Sequence, residues 1–201
     1  MSKIADMINE LCPNGVEFKK LGDVCTFKRG KTITCKDSVA GDIPVIAGGQ
    51  KPSYYHNESN REGETIAIAG SGAYAGFVSF WDTPVYLSDS FSVHPNESLL
   101  YKYVYYFLLN NQKEIYGTQK GAGVPHVKGA SIAHFEIPVP PLAVQSKIVE
   151  VLDNFTELEA ELEAELEAEL EARKKQYEYY RNKLLSFNEL GGGTEQIQWL
   201  K

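Results

Sequence analysis

TELEAELEAELEAELEARKKQYEYYRNKLLSF, residues 156–187, is the stretch that decides the architecture. Leu158, Leu162, Leu166 and Leu170 stand four apart, and Ala160, Ala164, Ala168 and Ala172 keep the same period. Leu, Glu and Ala are strong helix formers, so the segment predicts helix throughout. At 1.5 Å per residue it would be about 48 Å long. A period of four exceeds 3.6, so the leucine stripe drifts by roughly 40° per repeat and is not a strict heptad seam. The glutamates that alternate from Glu157 to Glu171 repel one another along the helix. Helices of this kind draw most of their stability from packing, which predicts a partner helix on the leucines. A solvated helix acting as a spacer is the competing reading.

Upstream, Ile148, Val149 and Leu152 recur at helical spacing after Pro141, a residue suited to a first helical turn. Asp153–Asn154 reads as a break, with Thr156 and Glu159 forming a capping box for a second helix. The first 140 residues read differently, as short strands and turns with a few helices. Thr65–Ala69 alternates and predicts a strand, Gly70–Gly72 a turn, and Phe77–Trp81 the returning strand. Val45–Ile46, Val85–Leu87, Phe91–Val93 and Phe135–Val139 read as further strands. Leu100, Val104, Phe107 and Leu108 share one face of an amphipathic helix over Leu99–Ile115. Gly117–Gly129 reads as a glycine-rich loop, and His134, in an apolar stretch, as a core residue. The predicted fold class is α+β: a globular mixed α/β domain over 1–140, then a long helical region over 141–187. The tail, 188–201, repeats an earlier motif. Asn188–Glu189–Leu190, a glycine turn and Ile197–Gln198–Trp199 loosely match Asn9–Glu10–Leu11, Gly15 and Val16–Glu17–Phe18.

The formal net charge of −7 in 201 residues argues against nucleic acid only superficially. Ten acids and no Lys or Arg fall within residues 150–172, while residues 1–149 carry 14 charges of each sign. Cys12, Cys25 and Cys35 form no CxxC pair, so neither a disulfide framework nor a metal site is expected. Met1–Leu11 carries Asp6 and Glu10 and is not a signal peptide. The longest uncharged stretch, Thr65–Trp81, is too short to span a bilayer. A cytoplasmic chain without membrane contact is expected.

Catalytic motifs are missing. Gly70–Gly76 lacks the GxGxxG spacing and precedes a strand, so it reads as a hairpin turn. There is no GxxxxGK[ST], no GxSxG and no HExxH. Val139–Pro140–Pro141–Leu142 is not the Asp/Asn-Pro-Pro-aromatic motif with which methylating enzymes grip a flipped adenine. No catalytic residues are assigned, and the chain is not expected to be an enzyme. Binding residues are better represented. Lys28, Arg29 and Lys31 cluster near a turn. Lys51, Tyr54, Tyr55, His56, Asn57 and Arg61 interleave cations, aromatics and an amide. Ser71 and Tyr74 sit in the Gly70–Gly76 turn, and Lys120, His126 and Lys128 in the second glycine-rich loop. Lys and Arg suit phosphates, and Asn, Arg and Lys can read base edges, so these are the candidate DNA contacts. Tyr54 and Tyr55 serve equally well as packing residues.

IPVPPLAVQSKIVEVLDNF (137–155) resembles the Ile-Pro-x-Pro-Pro-Leu-x-x-Gln-x-x-Ile-Val-x-x-Leu signature that closes a target recognition domain in type I restriction–modification specificity subunits. LGDVCTFKRG (21–30) is similar to that domain's opening, TIAIAGSGAYAGFVSFW (65–81) to its hairpin and KYVYYFLL (102–109) to its helix. ARKKQYEYYRNKLLSF (172–187) resembles the end of the conserved helical region. The resemblance implies a non-catalytic subunit that reads double-stranded DNA and docks modification subunits, which hold S-adenosylmethionine and methylate adenine. Restriction subunits can join. A full subunit has two recognition domains held apart by two antiparallel helices; this chain has one of each. The resemblance therefore implies a homodimer, with Leu158, Leu162, Leu166, Leu170, Tyr177 and Leu184 as the dimerisation surface, reading two inverted half-sites. One more Leu-Glu-Ala-Glu unit, about 6 Å of helix, would widen the spacer. The reading from another class is a ligand-binding head on a coiled-coil stalk, as in phage receptor-binding proteins.

Overall fold

The computed structural model describes residues 2–121 and 123–186. Internal packing divides the chain into two units, Met1–Leu152 and Asp153–Lys201. In chain order the elements are α1 (Ser2–Leu11), β1 (Phe18–Lys20), α2 (Leu21–Val24), β2 (Cys25–Arg29), β3 (Ile43–Ile46), β4 (Tyr54–His56), β5 (Thr65–Ala69), β6 (Val78–Trp81), β7 (Tyr86–Leu87), β8 (Ser90–Pro95), α3 (Tyr101–Asn110), α4 (Gln112–Gly117), α5 (Gly129–Ile132), β9 (Glu136–Pro138) and α6 (Leu142–Ser186). This is the α+β class with a long C-terminal helix, as read from the sequence.

The strands form three small sheets, ordered β2-β8-β5-β6, β4-β3-β7 and β1-β9. Strand β5 is the hinge of the core, because all five of its residues are buried. Ile66 and Ile68 point into the larger apolar cluster with Leu21, Val93, Val104, Leu108 and Ile137. Ala67, of opposite parity, joins Ile46, Val85 and Leu87 in a second cluster. The β5–β6 turn is the hairpin expected at Gly70–Gly76: Thr65 pairs with Trp81, Ile68 with Val78, and Gly72 and Gly76 take positive φ of 89° and 94°. Burial pushes the Cys25 thiol up to about 12, so it behaves as a small apolar residue.

Three expectations need correction, and three strands were not foreseen. There is no break at Asp153–Asn154, because α6 is one helix of 45 residues, about 68 Å long. Asp and Asn cost only tenths of a kcal/mol inside a helix, and the strong formers around them outweigh that. Leu99–Ile115 is two helices, because Asn111 ends α3 by donating its side-chain amide to the Phe107 carbonyl at 2.7 Å. Gln112 then bonds the hairpin, accepting from Val78 N–H at 3.0 Å and donating to the Gly76 carbonyl at 2.7 Å. His134 is exposed, with its ring against Phe135. Strands β1, β2 and β4 were hidden in short polar runs; β1 and β2 pair far along the chain, Phe18 with Pro138 and Cys25 with Pro95, while β4 pairs with the neighbouring β3, Ile43 with His56. The tail motif at 188–201 and the helix end at Phe187 lie outside the described residues.

The 137–155 signature has a structural explanation. Ile137 and Gln145 are both fully buried. Gln145 accepts from Leu100 N–H at 2.9 Å and donates to the carbonyls of Ser98 and Pro140, each at 2.8 Å. One side chain thus ties the start of α3 to the start of α6. The Tyr103 hydroxyl adds a bond to the Pro138 carbonyl at 3.0 Å. Among the described residues no helix is long and apolar enough to cross a membrane.

Candidate nucleic-acid interface

The basic run at the end of β2 is set by backbone geometry. Gly30 N–H donates to the Ser90 carbonyl at 2.8 Å and Lys31 N–H to the Leu87 carbonyl at 2.9 Å. A Cβ at Gly30 would collide with the Leu87 carbonyl, so this close approach requires glycine. Lys28, Arg29 and Lys31 are exposed around that pinned backbone. Arg61 is half-buried beneath it. Its guanidinium donates to the carbonyls of Lys28 and Arg29 at 3.1 and 3.0 Å, and its Nε to Ser92 Oγ at 2.7 Å. Burial pulls the Arg61 guanidinium below its usual range. Arg61 therefore holds the strand that presents the other cations.

The hairpin turn and the second glycine-rich loop are stitched together. Gly72 N–H donates to the Pro125 carbonyl at 3.1 Å and Val127 N–H to the Gly70 carbonyl at 3.0 Å, while Ser71 and Lys120 both form bridges to His126. Arg29, Asp89, His126 and Lys128 thereby come together around a cleft of about 360 Å³. Lys120 lines an adjoining cleft that shares His126 and Lys128. Asp89 had no sequence signal. Its carboxylate accepts the hydroxyl of buried Ser71 and lies 3.9 Å from the Arg29 guanidinium. Tyr74 is exposed in the same turn.

The remaining candidates lie on or beside the β4-β3-β7 sheet. Lys51, Tyr55 and Asn57 are exposed. The Tyr54 hydroxyl donates to the Ile33 carbonyl at 2.6 Å. His56 is buried, with Nδ1 accepting from Val39 N–H at 3.1 Å and its ring edge-on to Tyr86. Tyr54, His56, Arg61 and Ser71 thus spend their polar groups on the fold. Lys28, Arg29, Lys31, Lys51, Tyr55, Asn57, Tyr74, Lys120, His126 and Lys128 face solvent. Among the described residues no group of three or more His, Cys, Asp and Glu side chains could hold a metal ion.

Unit 2 presents a different surface. Leu158, Leu162, Leu166 and Leu170 are 54–60 % exposed, and Tyr177, Tyr180 and Leu184 are 51–66 % exposed. Charge along this helix is segregated. Glutamates occupy alternate positions from 157 to 171, and Arg173, Lys174, Lys175, Arg181 and Lys183 follow, with Glu178 the one acid among them. The junction carries Glu169–Arg173 and Glu171–Lys175 ion pairs, at 3.2 and 2.7 Å.

Residues 13–172 match the family described as the type I restriction modification DNA specificity domain. A Haemophilus influenzae protein named as a type I restriction enzyme specificity subunit is 35 % identical over 185 residues, 87 % of this chain and 47 % of its own. The Escherichia coli EcoR124I/EcoR124II specificity subunit is 39 % identical over 101 residues, 49 % of this chain and 25 % of its own. The fold matches the crystal structure of a type I S subunit from M. genitalium with a TM-score of 0.63 at 22 % identity, over 88 % of this chain and 48 % of that one. The chain spans about half the length, or less, of these proteins. The match over residues 13–172, four-fifths of the chain, leads to one conclusion: the chain belongs to the type I restriction–modification DNA specificity family.

Proposed function

We propose that one globular unit, over residues 1–140, reads one half-site of double-stranded DNA and that the helical region pairs two copies, so that a bipartite palindrome is recognised. The observation that carries this is the exposed apolar stripe of α6, flanked by segregated charge. Seven large apolar and aromatic side chains in water are a cost that a second copy removes. Parallel pairing would set glutamates against glutamates. Antiparallel pairing sets the acidic block of each copy against the basic block of the other, with the two-fold axis near Leu170. Arg29, Lys120, His126 and Lys128 supply contacts to DNA, and modification subunits holding S-adenosylmethionine supply catalysis and much of the phosphate neutralisation. Weak DNA binding by the isolated chain follows, since phosphate contacts dominate affinity. Restriction subunits would join the same assembly.

Light scattering of the purified chain, alone and with a modification subunit and DNA, tests this. A dimer that recruits two modification subunits and directs methylation of inverted half-sites is expected. A trimer, or no association with any methyltransferase, would overturn it in favour of a ligand-binding head on a stalk.

A further inference from the structure

Asp89 is an anomaly in the proposed interface: a carboxylate in a cleft whose other charged lining groups are Arg29 and Lys128. Resting on the DNA-reading role proposed above, we infer that Asp89 is a specificity-determining residue that accepts a hydrogen bond from an amino-bearing base in the major groove.

A phosphate placed here would be repelled by Asp89, so the carboxylate does not serve backbone neutralisation. It can only accept. In the major groove cytosine N4 and adenine N6 offer amino donors. Guanine offers O6 and N7, and thymine O4, all acceptors that a carboxylate repels. Asp89 therefore suits cytosine or adenine at one position of the half-site and rejects guanine and thymine there.

The side chain is already held for this task. The Ser71 hydroxyl donates to Oδ2, and Ser71 itself is only 9 % exposed. Gly70 N–H donates to the Asp89 carbonyl at 2.9 Å, and the Ser90 hydroxyl donates to the Ile46 carbonyl at 2.8 Å, which fixes the chain on both sides. Oδ1 is the oxygen left for a ligand. It faces Arg29 Nη2 at 3.9 Å, beyond hydrogen-bond length. The Arg29 side chain is 82 % exposed, and such a loose, solvated ion pair is broken at little cost. Arg29 thus balances Asp89 before DNA binds, then turns to phosphate or to a neighbouring guanine. Ser71 is a positioning residue; Asp89 is the reader.

The test uses the full chain in complex with its modification subunits and a randomised duplex DNA library at low salt, with bound sequences read out by sequencing. Wild-type protein should enrich a half-site with C or A at one position by about ten- to hundred-fold over G or T. Asp89→Ala should make that one position degenerate and leave the others unchanged. Asp89→Asn, which keeps an oxygen for Ser71 and guards against a folding defect, should also lose the exclusion of G or T while keeping the wild-type melting temperature. Lys128→Ala should weaken binding to all sequences alike and reduce the salt slope by about 1. If both Asp89 variants enrich the wild-type motif, the role of Asp89 is overturned while the DNA-reading function stands. If the wild-type complex enriches no motif, the function itself falls, and this inference with it.

Discussion

Val144 and Gln145 lie in the first turn of α6 and are fully buried, whereas Leu158, Leu162, Leu166 and Leu170 in the same helix are each more than half exposed. A glutamine is inside and the leucines are outside. Gln145 is tolerated because its three hydrogen bonds repay its desolvation, and it joins segments that no apolar side chain could orient. The leucines need no tertiary partner to be helical, since Leu-Glu-Ala repeats hold that conformation by propensity. What they lack is a place to be buried. One end of the helix is therefore explained within the chain, and the other is the surface that the proposed pairing of two copies would cover.

The largest effect expected on this contrast comes from replacing Leu158, Leu162, Leu166 and Leu170 together by Ser. Each buried leucine contributes roughly 1.5–3 kcal/mol, so self-association should fall by more than about ten-thousand-fold. Sedimentation should then show a monomer whose globular unit unfolds at the wild-type denaturant midpoint. A retained dimer would move the interface elsewhere. Next, Gln145→Ala should destabilise the globular unit by about 3–5 kcal/mol, since it strands one N–H and two carbonyls. Denaturant unfolding followed by tryptophan fluorescence reads this, and a loss below 1 kcal/mol would remove Gln145 from its central place.

Two smaller tests sharpen the helical half. Leu170→Cys should form a disulfide-linked dimer under mild oxidation, while Leu158→Cys should not, because antiparallel pairing places only residues near the two-fold axis beside their own copies. Efficient linkage at position 158 would mean parallel helices. Insertion of one Leu-Glu-Ala-Glu unit adds about 6 Å per helix, close to two base pairs at about 3.4 Å each. Methylation mapping should find a changed spacer with unaltered half-sites.

The smallest effect concerns His94, which lies between Ser92 Oγ at 2.8 Å and the Tyr101 hydroxyl at 3.1 Å. Burial, then the charges of Lys28 and Arg61, hold its pKa below the usual histidine range. The unfolded chain therefore binds this proton more readily than the folded one. Stability is fully present above about pH 6.5 and declines as pH falls below it. His94→Gln should flatten that slope in melting curves between pH 7 and 5.

The legible parts of the fold were those with a strong local period. The helix over 156–186, the 65–81 hairpin and the closing signature follow from repeats, alternation and turn glycines. The continuity of α6 through Asp153–Asn154 was not legible, because a weak break and a strong propensity compete there and only their sum matters. The candidate interface was half legible. Exposed cations at Arg29, Lys120 and Lys128 were found from composition, but nothing local distinguishes Arg61, which clamps β2, from a cation facing solvent. Asp89 was missed because an isolated acid between two serines has no pattern of its own.

Helix, hairpin, family and a leucine stripe that calls for a partner were thus determined by the sequence alone, since each depends on residues within a few positions of one another or on a contiguous motif. The tertiary structure decided which polar groups remain free. His56, Arg61, Ser71 and Gln145 are engaged by partners 17 to 47 residues away, while Asp89 and Arg29, 60 positions apart in the chain, meet across one cleft. Hydrogen-bond saturation is a property of three-dimensional neighbours, and no local pattern of residues encodes it.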